Sequence, residues 1–87
     1  GAGVERGLRL ARAVAYNNAA VLLAASGRAA EACRRLRTCL QLLRTVAGPG
    51  QAERPAFNLV VALWRLGRKD AACASWLRAR GHDPSAL

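Results

Sequence analysis

Apolar residues recur along this chain at three- and four-residue steps, the spacing that gathers side chains on one face of a helix. From Val4 to about Ser26 the steps run through Leu8, Ala11, Ala15, Ala19, Leu22 and Leu23. A second stretch, about Arg28 to Ala47, has its stripe at Ala32, Leu36, Cys39, Leu40, Leu43 and Ala47, with Arg34, Arg35, Arg37, Gln41 and Arg44 pointing elsewhere. The third starts near Gln51 to Pro55, where proline suits a first turn, and continues through Phe57, Leu59, Val60, Leu63 and Leu66 to Gly67. The fourth covers about Arg68 to Arg80 and is expected to bury Ala72, Cys73, Trp76 and Leu77. No strand-like alternation competes, so the pattern predicts an all-α chain.

Glycines punctuate these helices. Gly27, Gly67 and Gly81 fall where a helix must stop, and glycine takes the left-handed cap conformation without steric penalty. Gly7 weakens the early turns, so the first helix is expected to fray or to begin later than Val4. The glycines flanking Pro49 mark a loop after Val46. Short connections between successive helices predict antiparallel neighbours.

The pattern also repeats. Asn18 returns as Asn58, Gly27 as Gly67, Arg28 as Arg68, Ala32 as Ala72 and Cys33 as Cys73, each pair 40 residues apart. Self-similarity at this period is the mark of stacked helical hairpins. The expected organisation is a single region over residues 1–87, with one repeat at about 14–47, a loop at 48–52 and a second repeat at about 53–84.

On those repeats the chain resembles the tetratricopeptide repeat (TPR) family. In that family an aromatic residue and an asparagine open the first helix and a glycine ends it. A small alanine then follows, a large residue comes four positions later, and a proline often closes the unit. Tyr16, Asn18, Gly27, Ala32 and Leu36 occupy those places in the first copy; Asn58, Gly67, Ala72, Trp76 and Pro84 do so in the second. Ala56 stands where the second opening aromatic should be, and no proline closes the first copy. The resemblance implies a right-handed stack of two antiparallel hairpins, a fragment of an α-solenoid. It also implies a groove lined by Val14, Asn17, Val21, Ala24 and Ala25 in the first repeat and by Arg54, Phe57, Val61, Trp64 and Arg65 in the second. Such a groove takes a peptide or helix of a protein partner, or adjacent repeats and subunits. Trp64 beside Arg65 has the composition of an interface hot spot; its other reading is packing against a terminal helix or the loop before the third helix. A clamp for acidic peptide tails is not expected, because Asn17, Phe57, Val21 and Val61 stand where its lysines and asparagines belong.

Within the family, Asn17 to Leu23, Gly27-Arg28, Glu31-Ala32 and Leu36 look like the C-terminal repeat segment of a vesicle-tethering subunit. The run Asn58 to Gly67 also looks like the octotricopeptide repeats that bind organellar RNA. That family's tryptophan would fall at Val61, and its pattern gives Ala72 no role.

Charge enlarges the question of partners. The formal net charge is +9, and every base except Lys69 is arginine, which favours bidentate pairing with carboxylate or phosphate. The excess reads as a solvated surface, as a face for an acidic protein, or as a face for nucleic acid or lipid headgroups. Arg6, Arg9 and Arg12 form one such stripe, expected to be solvated.

Catalytic chemistry finds little footing. Glu5, Glu31, Glu53, Asp70 and Asp83 are scattered one per segment, His82 lies in the tail, and Ser26, Ser75 and Ser85 sit in no nucleophile motif. No phosphate loop, metal set or cofactor motif is present, so a non-catalytic role without cofactors is expected. Three cysteines at unpaired spacings argue for buried thiols and a reducing compartment, hence an intracellular, cytoplasmic setting. Arginines interrupt every apolar run well short of the roughly 18 residues a membrane span needs. The start, Gly1-Ala2-Gly3, lacks the features of a secretory signal and reads as the cut edge of a longer chain. Two repeats are few for a stack, so the outer faces carrying Trp76, Leu77 and the first helix are expected to be covered by more of the same protein, a second copy or a partner subunit.

Overall fold

The computed structural model describes residues 1–46, 48 and 50–81. Four helices appear in order: α1 (Ala2–Ala25), α2 (Ala29–Leu43), α3 (Glu53–Arg65) and α4 (Lys69–Ala79). Their bounds fall inside the predicted stretches except at the start, where α1 begins before Val4 and runs unbroken through Gly7. The positions Ala47, Pro84 and His82 lie outside the described residues.

Both predicted corners form by the same hydrogen bonds. Arg28 N–H donates to the Leu23 carbonyl at 2.8 Å and Gly27 N–H to Ala24 at 3.2 Å; Arg68 and Gly67 repeat this onto Leu63 at 3.0 Å and Trp64 at 2.9 Å. The pattern needs a left-handed residue at the turn, and Gly27 and Gly67 supply φ of 81° and 80°. After the first corner the chain doubles back. Ala20 near the end of α1 joins Ala32 and Cys33 near the start of α2, while Ala13 meets Cys39 and Leu43 further along. The hairpin is therefore antiparallel.

The core is built at close helix crossings. Ala20, Ala32, Ala62 and Ala72 have almost no exposed surface, and Leu36 and Leu63 fill the space between them. Burying each leucine contributes roughly 1.5–3 kcal/mol. The molecule is a slab of 42 × 34 × 15 Å, so this core is one layer deep. α2 packs on α1 and α3, and α3 packs on α4; the α4 backbone does not come close to that of α1 or α2.

Two parts of the predicted core differ. On α1, Leu8 and Leu22 are 60% and 72% exposed, and Ala11 and Ala15 are exposed as well, with Ala19 and Leu23 half-buried. The face turned inward is instead Ala13 and Ala20, with Leu10, Tyr16, Leu23 and Ala24 packed beside it. An alanine-rich helix is apolar most of the way round, so periodicity does not choose its face. Close approach to α2 does, and it selects the small residues. The repeat shows what the exposed face lacks. Shifted by 40 positions, Ala15, Ala19 and Leu22 correspond to Pro55, Leu59 and Ala62, which are buried on α3 beside α2. Among the described residues no helix lies against their counterparts on α1.

On α4 only Ala72 is buried; Cys73 is exposed, Trp76 is 40% exposed and Leu77 is half-buried. The equivalents Cys33 and Leu36 are covered because α3 lies over α2. No described helix lies over α4 in the same way. Leu66, expected inside, is 39% exposed at the end of α3.

Candidate functional site

The sequence-predicted groove residues lie on α1 and α3, two helices joined by a pair of hydrogen bonds at matching offsets. Asn58 Nδ2 donates to Asn17 Oδ1 at 3.0 Å, and Arg65 Nη1 donates to the Ala24 carbonyl at 3.2 Å. Both bonds link residues 41 apart, so α1 and α3 run side by side in the same direction. The second bond brings a cation to the last turn of α1, where the helix dipole favours it.

Around that seam stand large apolar side chains in contact with water. Val14 is 58% exposed, Val21 48%, Phe57 53% and Trp64 53%. Val61 and Ala24 are half-buried, and Ala25 and Arg54 are exposed. Among the ten, Asn17 and Arg65 are held by side-chain hydrogen bonds, to Asn58 and to the Ala24 carbonyl. Trp64 keeps about half its surface exposed, with the ammonium of Lys69, the first residue of α4, 5.2 Å from its ring centroid. Phe57 meets Trp76 of α4 edge to face, with centroids 6.3 Å apart and planes at 70°.

The residues that carry the repeat pattern divide between core and surface. Ala32, Leu36 and Ala72 are buried, Tyr16 is half-buried with the Arg35 guanidinium 5.8 Å from its ring centroid, and Asn18 is exposed. Asn18 and Asn58 match in sequence yet differ in role, because Asn58 reaches back one repeat to Asn17. The pairing of Asn17 with Asn58, the reach of Arg65 and the edge-to-face aromatics were all missed from sequence. Their only trace there is a 41-residue offset that acquires meaning once the helix register is known.

Charge stays largely unpaired. Among the described residues the one ion pair joins Arg28 to Glu31 at the start of α2. Arg6, Arg9 and Arg12 are exposed, with Arg9 Nη1 donating to Thr45 Oγ1 at 3.2 Å. Of the thiols, Cys33 and Cys39 are buried and Cys73 is exposed. That corrects the expectation that all three lie inside. Burial pushes the Cys33 and Cys39 thiols up, the former opposed by Arg37, Arg68 and Arg34. Among the described residues no three of His, Cys, Asp or Glu come together as metal ligands, and no helix is long and apolar enough to cross a membrane.

Two antiparallel hairpins with alanines at their crossings, repeating every 40 residues, define a stack of helical repeats. A family model described as tetratricopeptide repeat matches residues 12–53, and a second of the same description matches 54–78. The chain belongs to the tetratricopeptide repeat family. Repeats of this family generally mediate protein–protein interaction and are typically non-catalytic. No curated protein and no solved structure matches the chain.

Proposed function

We propose that this chain is a non-catalytic scaffold that receives a protein partner, as a peptide or an amphipathic helix, in the trough along α1 and α3. The observation that carries the reading is the exposure of Val14, Val21, Phe57 and Trp64 on two helices tied together at Asn17–Asn58 and Arg65–Ala24. Aromatic anchors beside arginine dominate interface energetics, and a host at +9 favours a partner with acidic flanks. The setting proposed is a larger intracellular complex, with adjacent repeats, subunits or a second copy over the outer faces. The likeness of Asn17 to Leu36 to the C-terminal repeat segment of trafficking protein particle complex subunit 12 points to vesicle tethering as that setting.

Affinity purification with wild-type protein, Trp64→Ala and Arg54→Glu tests the trough. Both variants should lose the partner; recovery of the same partners by both would remove the assignment. The RNA-binding alternative separates by salt. Phosphate contacts weaken steeply between about 50 and 200 mM, whereas docking led by Trp64 and Phe57 should hold over that range.

A further inference from the structure

Apart from the proposed trough, a concavity opens between the two hairpins. α2 and α4 both pack on α3 without close approach of their own backbones. Between their C-terminal ends, over the first turns of α3, opens a cleft of about 990 Å³. Its apolar lining includes the edge-to-face pair Phe57 and Trp76, and Arg44, Arg78 and Arg80 stand in it against one acid, Glu53. The Arg80 guanidinium lies 5.5 Å from the Trp76 ring centroid. Among the described residues none of the three arginines has a carboxylate within 4.0 Å.

We propose that this cleft is a binding site for an acidic peptide segment. The segment inserts one leucine-like or aromatic side chain against Phe57 and Trp76 and sets its carboxylates against Arg44, Arg78 and Arg80. The volume is at the upper end of what a compact recognition pocket encloses, about 300–1,000 Å³. Stacking on an aromatic face limits the freedom of the Arg80 guanidinium while leaving its donor edge open to a carboxylate. The same arginines would accept phosphate, but the rings argue against a nucleic acid. Bases stack on open, flat faces; here Phe57 meets Trp76 at 70°, and Arg80 covers part of the indole. Trp64 does not line the cleft, so the two sites separate by experiment even though Phe57 borders both.

Trp64→Phe leaves Trp76 as the sole tryptophan, a reporter inside the cleft. A short capped peptide of glutamates around one central leucine is the probe, titrated while Trp76 emission is followed. A saturable change is expected, weakened about tenfold by Arg78→Glu or Arg80→Glu and abolished when the leucine is replaced by glycine. Fluorescence anisotropy of the labelled peptide on the wild-type protein gives the same measurement without the tryptophan substitution. Absence of saturable binding in that assay overturns the proposal. So does binding unchanged by both charge reversals, or tighter binding of a short oligothymidylate than of the peptide. Loss of trough partners in Trp64→Ala with the cleft titration intact distinguishes failure of one site from failure of the other.

Discussion

Asn58 on α3 gives its amide proton to Asn17 on α1, 3.0 Å away and partly shielded from water. This bond crosses the repeat boundary and fixes how the first helices of the two hairpins sit beside each other. Replacing either asparagine with alanine should cost about 0.5–1.5 kcal/mol, near the low end because water reaches the site. The double replacement should cost less than the sum of the two, as a double-mutant cycle in urea will show.

The corner glycines separate backbone strain from crowding. A Cβ added at Gly27 or Gly67 meets nothing within 4 Å, yet both carry φ near +80°. Gly27→Ala and Gly67→Ala should therefore each destabilise by about 1–2 kcal/mol, from conformation alone. Gly7 also has open space, but it lies inside α1. Gly7→Ala should stabilise by about 0.5–1 kcal/mol, so thermal melts of the three variants should move in opposite directions.

Position, more than residue type, decides what a leucine contributes. Leu36→Ala, at 1% exposure, should cost about 2–5 kcal/mol and bring so small a domain close to unfolding. Leu22→Ala, at 72% exposure, should stay within about 0.5 kcal/mol. Chemical denaturation of Leu22→Ala checks which face of α1 is inside, with Leu36→Ala on α2 as the buried reference.

Thiol chemistry should follow the same division. Cys73 should react with a disulfide reagent in the native protein, while Cys33 and Cys39 wait for the helices to open. The buried pair also makes stability depend on pH. Their folded values lie above the ordinary 9.0, so the unfolded chain releases these protons first as pH rises. Their contribution is full below about pH 9 and is lost as pH climbs through the folded values. Cys33→Ala/Cys39→Ala should flatten the alkaline fall in melting temperature.

What could be read in advance was whatever local chemistry decides. Gly27 and Gly67 announce corners because few other residues adopt that backbone, and Ala32 and Ala72 announce close crossings because they recur in register. The inward face of α1 could not be read that way, since alanines surround the helix and the choice belongs to α2. The exposure of Cys73 and Trp76 was hidden for a related reason: the repeat equates them with Cys33 and Leu36, while their surroundings depend on whether a helix follows. The residues of the proposed trough could be placed on their helices from the repeat pattern. The hydrogen bonds of Asn17 and Arg65 depend on an inter-helix distance that no letter encodes.

The alanines carry one more consequence. Ala13, Ala20, Ala32, Ala62 and Ala72 are almost wholly buried, and overpacking a buried crossing strains the backbones that meet there. Natural variants of this molecule should therefore be most constrained at their least distinctive letters. Bulky Leu8, Leu22 and Trp64, conspicuous on the page, answer only to whatever neighbour each version of the protein keeps, and can drift as that company changes.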